Sequence, residues 1–156
     1  MIEDWIDALC DVWMMNTGNL ATVKSYRLIG DADRFPESVD PARDFPMALS
    51  IPSDMTPEYS FGGPAIGFYR GVTELHVAPN VSKALLPALM KWYGKILTAA
   101  AGNMTLGGRV ELFLLDGENS IEGPLALQYG NESPHWGFLV RWRVKERLEG
   151  EFTPSA

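Results

Sequence analysis

The apolar positions along this chain change period several times, and each change predicts an element. They first fall at Ile2, Trp5, Ile6, Leu9, Val12 and Trp13. Steps of three and four put these residues on one stripe of a helix over residues 2–15, with Asp4, Asp7 and Asp11 off the stripe. Glu3 and Asp4 suit the positive end of its dipole, and Gly18 within Asn16-Thr17-Gly18-Asn19 ends it. The period then drops to two. Lys24–Ile29 predicts a short strand, with Tyr26 and Leu28 on one face. Phe45–Pro52 predicts a second, with Met47, Leu49 and Ile51 alternating against Ala48 and Ser50. Gly67–Ala78 predicts a long strand with Tyr69, Thr73, Leu75 and Val77 on one face and Arg70, Glu74 and His76 on the other.

Helical spacing returns at Leu85, Leu86, Leu89, Met90, Tyr93, Ile96 and Leu97, with Asn80 or Ser82 as the cap and Gly102-Asn103 as the stop. Pro87 bends this helix or confines its regular part to the residues after it. Three more strands are predicted. Arg109–Leu115 has Val110, Leu112 and Leu114 in register, and Gly123–Tyr129 has Leu125, Leu127 and Tyr129. His135–Lys145 turns Trp136, Phe138, Val140, Trp142 and Val144 one way and Arg141, Arg143 and Lys145 the other. The Asp-Gly-Glu-Asn-Ser stretch at 116–120 reads as a hairpin turn. Gly30–Asp44 and Ser53–Pro64, punctuated by Pro36, Pro41, Pro57 and Pro64, read as long loops. Loops of that length in a compact domain are usually functional or disordered.

These elements predict an α+β domain, a mostly antiparallel twisted sheet of about five strands with two helices packed on one face. Residues 1–148 form one domain and 149–156 a C-terminal tail. The expected core includes Trp5, Leu9, Leu49, Leu75, Leu89, Leu112, Phe138 and Val140. Hydrophobic residues at 46% and charged residues at 21% suit a folded rather than a disordered chain. No apolar run approaches the ~20 residues that cross a bilayer, and the acidic start Met-Ile-Glu-Asp lacks the basic region of a secretory signal.

Charge is uneven. Residues 1–66 carry 11 acidic and 4 basic side chains, whereas residues 67–156 carry 9 of each. An acidic first half argues against binding nucleic acid by charge neutralisation. Cys10 is the single cysteine, so no intrachain disulfide forms; a small buried hydrophobe is the expected role, in a reducing compartment.

Candidate chemistry is sparse. Neither a phosphate-cradling glycine loop nor a nucleophile elbow occurs. A metal site would need His76 and His135 to meet in space with a third ligand such as Glu74 or Glu132. Otherwise His76 ends a polar strand face and His135 starts a strand. Glu74 is a candidate cross-strand partner for Arg141 or Arg143. Glu111, Glu118 and Glu122 flank the turn and read as solvated. No catalytic residue, cofactor or metal is expected. A small-ligand-binding or enzymatic domain remains the alternative; it would need a pocket on which His76, Glu74 and Arg141 converge.

In order and spacing the chain resembles the tail terminator, or tail completion, proteins of long-tailed bacteriophages. The likeness rests on a short first helix, the Pro-rich RLIGDADRFPESVDPARDFPMALSIP, the strand YRGVTELHVAP, the helix VSKALLPALMKWYGKILTAAAG, the link NMTLGGRVELFLLD and the strand WGFLVRWRVKERLE. The resemblance implies a non-enzymatic virion-assembly protein. Such proteins form a ring, commonly of six subunits, on the last ring of tail-tube protein, end tube growth and meet the head-completion proteins. DNA passes through the hole without specific binding. The location implied is the head-proximal end of the virion tail, after assembly in the host cytoplasm. A head–tail connector or stopper is the neighbouring possibility. Subunit and tube contacts are expected on the two long loops, at Asp31, Asp33, Arg34, Glu37, Asp40 and Arg43 and at Tyr59 and Phe61.

Overall fold

A computed structural model describes residues 2–13, 24–27, 45–59, 63, 65–78, 81–128 and 134–147. Helix α1 (Ile2–Val12) precedes strands β1 (Lys24–Arg27), β2 (Met47–Glu58) and β3 (Ile66–Ala78). A 3₁₀ turn at Lys83–Leu85, the short helix α2 (Leu86–Leu89) and helix α3 (Trp92–Ala101) follow. Strands β4 (Leu112–Leu115), β5 (Ile121–Leu127) and β6 (His135–Arg147) complete one six-stranded sheet. Its order is β1-β2-β3-β6-β4, with β5 also on β6. The β1–β2 pair is parallel, and all others are antiparallel. This is the α+β fold the periodicity predicts.

Directly opposed residues share a sheet face, so the register assigns the faces. Ala48, Leu75 and Phe138 lie in one row, Ser50, Thr73 and Val140 in the next, then Gly71 with Trp142, and Tyr69 with Val144 and Phe113. This first face carries both helices. Trp5 of α1 meets Tyr69 and Trp142 edge to face, with centroids 5.1 and 6.1 Å apart. Its indole nitrogen donates to the buried Glu146 carboxylate at 3.1 Å. Trp13, just past α1, packs on Phe113 at 6.2 Å, and Tyr93 of α3 stands on Phe138 at 5.3 Å. Beneath α1, the Trp142 indole N–H donates to Thr73 Oγ1 (3.0 Å), which also bonds Ser50 Oγ (3.0 Å). Every polar atom of that buried trio thereby has a partner, as burial requires.

Four sequence expectations need correction. Ser53–Glu58 is strand, not loop: β2 runs on to Glu58, bulging at Ser53, opposite Ile66–Arg70. Pro57 misled because proline reads as a breaker. Beyond Ser50 no strand among the described residues covers the other edge of β2, and an edge tolerates a residue without an N–H. Asp116–Ser120 is not a hairpin turn either. β4 and β5 run in the same direction along β6, and these residues form an excursion between them. Asp116 N–H donates to the Arg141 carbonyl (2.9 Å), and Arg141 N–H donates to the Ser120 carbonyl (2.7 Å), closing it on one residue of β6.

The third correction is a one-residue register error. The amides of Arg109 and Val110 bond back to the Thr105 carbonyl, so β4 starts only at Leu112. Phe113 is then fully buried, and Leu112 and Leu114 fall half-buried on the opposite face. The other seven expected core residues are buried. Fourth, Met90 (54% exposed) and Leu97 (57%) point outward, while Trp92 is buried in their place. Pro87 acts as expected, with the regular helix beginning at Trp92 and ending at Gly102. Cys10 is buried. Among the described residues no helix is long and apolar enough to cross a membrane.

Candidate interaction surface and a buried histidine pair

The second sheet face has two unlike ends. Near β1 it is buried, with Met47 and Leu49 at 0% and 2% exposure and both histidines at zero. His76 is thus not the end of a polar face. It lies opposite Gly137, two residues along β6 from His135. The two rings meet on this face, where His76 Nδ1 and His135 Nε2 are hydrogen-bonded, while the Leu127 side chain and the Leu75 carbonyl close over Gly137. The other nitrogen of His76 lies 3.2 Å from the Glu74 carboxylate. Phe45 closes over both rings, with centroids 5.8 and 4.5 Å away. Among the described residues no group of three or more metal-ligating side chains converges. The arrangement satisfies buried polar atoms. His135→Leu should therefore cost about 1–3 kcal/mol by leaving His76 without that partner, read as a lower urea midpoint. A loss of only a few tenths would show that the pair is dispensable.

The far end of this face is open and charged. Asp54, Thr56 and Glu58 of β2, Ile66, Phe68 and Arg70 of β3, and Arg143, Lys145 and Arg147 of β6 share it. Ion pairs tie Arg70 to Asp116 (3.5 Å), Lys145 to Glu111 (3.4 Å) and Arg141 to Glu122 (2.8 Å). Exposed pairs of this kind contribute ~0–1 kcal/mol each. The expected pairing of Glu74 with Arg141 or Arg143 is not formed. Glu74 lies opposite Leu139 and turns to His76. Arg141 reaches the other way, to Glu122 and the Asn119 carbonyl. It lines an open groove of about 660 Å³ with Tyr93, Glu118, Asn119, Ile121, Glu122 and Gly123. The structure thus brings His76 and Glu74 together and leaves Arg141 apart.

The outer half of the β2–β3 hairpin is a further exposed surface. Every residue from Ser53 to Tyr59 is exposed, with Met55 at 47% and Tyr59 at 68%. Tyr59 directly follows β2, at the start of the hairpin connection. Of the expected interface residues it alone is described; Asp31, Asp33, Arg34, Glu37, Asp40, Arg43 and Phe61 lie outside the described residues. Sequence reasoning missed Met55 as an exposed apolar side chain because Ser53–Glu58 did not read as strand, and it assigned Phe68 of the predicted Gly67–Ala78 strand to neither face. This surface presents extended backbone, mixed charge and isolated apolar side chains, which suits contact with another protein. Neither models of known protein families nor curated proteins match this chain.

Proposed function

We propose that this chain is a structural assembly protein of a long-tailed phage, which caps the tail tube and ends its polymerisation. On this reading it forms a ring, of about six subunits by the resemblance, at the head-proximal end of the tail. Its other side offers the joining surface to the head-completion proteins, and DNA passes through without specific binding. The supporting observation is the β2–β3 hairpin, whose exposed outer half ends in Tyr59, where the sequence's aromatic residues lead us to expect subunit and tube contacts. The succession of short helix, strand, long hairpin, Pro-interrupted helix and closing strand supports it too.

The test mixes the purified chain with tail-tube protein and measures tube lengths and end structure by electron microscopy. Capped ends and shorter tubes are expected. A chain that neither binds tube ends nor limits length defeats the proposal. Replacing Tyr59 and Phe61 together by Ser should abolish capping while leaving the thermal melt unchanged, and unaltered capping would remove the hairpin from the interface.

A further inference from the structure

Between Leu75 and Val110 the chain carries no acidic residue, only Lys83, Lys91, Lys95 and Arg109. Among the described residues this segment holds four of the seven exposed large hydrophobic residues: Val81, Met90, Leu97 and Met104. Met90 keeps helical dihedrals between α2 and α3, so helical spacing holds from one to the other. Met90, Gly94, Leu97 and Ala101 therefore form one outward stripe, and all four are exposed. Exposed Lys91 flanks it, and Lys95 lies 5.5 Å over the Trp92 ring.

Gly94 is the telling residue. Glycine inside a helix is unfavourable relative to alanine. A Cβ added there would meet nothing within 4 Å, so no contact among the described residues explains it. Flanked by Met90 and Leu97, it leaves a notch where another backbone can approach closely. The helix α1 has the opposite character. It holds Glu3, Asp4, Asp7 and Asp11 and no basic residue, with Asp7 and Asp11 exposed one turn apart. One molecule thus carries a basic apolar helix face and a separate acidic one.

We infer that the Met90–Gly94–Leu97–Ala101 face of α2 and α3 docks onto the acidic α1 face of a second copy of this chain. The apolar stripe is covered, Gly94 admits the neighbouring helix, and Lys91 and Lys95 meet Asp7 and Asp11. Two different surfaces joined head to tail propagate from copy to copy and close into a ring when the rotation allows. The inference deepens the proposed function by naming the joint between subunits, and it rests on that reading for the ring.

Sedimentation velocity of the full chain at rising concentration tests it. The wild type should self-associate. Met90→Asp with Leu97→Asp should weaken association by about thirtyfold or more, as loss of a central apolar anchor does. Both sites are solvent-exposed, so the fold should persist, checked by circular dichroism. Gly94→Ala should raise the melting temperature while weakening association, an opposition that a purely structural role does not produce. Lys91→Glu alone, and Asp7→Lys with Asp11→Lys alone, should each weaken association. Mixing those two charge-reversed chains should restore it. A wild type that stays monomeric at every concentration, or association unchanged by Met90→Asp with Leu97→Asp, overturns the inference. Tube capping measured in parallel keeps the claims apart. Assembly through these helices without capping fails the tube reading alone, and capping by rings indifferent to these variants fails the helix joint alone.

Discussion

Trp142→Ala should lower stability by about 3–5 kcal/mol, the range for deleting a large buried aromatic side chain. Trp142 has no exposed surface and sits where α1 meets the sheet centre. Its loss empties the space against Trp5 and removes the donor to Thr73 Oγ1. The ledge under α1 then lacks both its packing and its polar anchor. For a domain whose whole stability is ~5–15 kcal/mol, that is a large share. Urea unfolding should show a much lower midpoint at unchanged slope. A change under about 1 kcal/mol would mean that α1 does not rest on this indole.

Gly71→Ala should do comparable damage by the opposite route. Gly71 faces Trp142 across the β3–β6 pair. A Cβ there would lie 2.3 and 2.4 Å from two carbons of the indole's six-membered ring and 2.8 Å from the Ile51 carbonyl oxygen. The indole is pinned by Trp5 and Thr73, and the carbonyl belongs to the neighbouring strand, so neither yields cheaply. Overpacking typically costs about 1–3 kcal/mol, and this site belongs at the top of that range. The two positions must also couple. Phenylalanine at 142 lacks the two indole carbons that a Cβ at 71 would strike. Gly71→Ala with Trp142→Phe should therefore destabilise less than the sum of the single variants, beyond the few tenths of a kcal/mol expected for independent sites. Strict additivity would show that the two side chains do not contest the same space.

These predictions concern the part of the fold most legible in the sequence. The alternation from Trp136 to Val144 and the three-four spacing from Ile2 to Trp13 each report burial against one surface, and both survive intact. Legibility fails where burial is not one-sided or where the partner is distant. β2 beyond Pro52 is exposed on both faces, so no alternation marks it as strand. β4 is four residues long and its phase is set by the Thr105 carbonyl, which no periodicity records. The Asp116–Ser120 excursion carries ordinary turn chemistry, and only the pairing of β4 and β5 with β6 shows that it is not a hairpin.

The candidate surfaces follow the same division. His76 and His135 are 59 residues apart and meet only because β3 and β6 pair in this register. Gly94 was invisible as a clue, because a helix glycine becomes informative only once its outward direction is known. Met90 and Leu97 fitted the apolar helical stripe, and the sequence alone assigns such residues to the core. Their exposure follows from α3 turning Trp92, Ile96 and Ala100 into the core, with Tyr93 on Phe138, which leaves Met90 and Leu97 on the other side.

The central place of β6 sets a timetable for the chain. β3, β4 and β5 all pair with it, and the Thr73–Trp142 bond spans 69 residues. During synthesis β3 leaves the ribosome with one edge unpaired, and β4 and β5 emerge after it with no strand to join. Nothing before His135 can close the sheet or complete the face under α1. Folding must therefore wait for the last of the described strands and bear the loop-closure entropy of distant pairing at the end. A nascent chain stalled before residue 135 should carry the helices and most of the apolar surface of the finished protein but lack β6, the strand beside β3 at the centre of the sheet. Its helices and its β2–β3 hairpin would lack the strand that holds them in place relative to one another, so subunits incomplete at this strand would offer a partner no fixed surface.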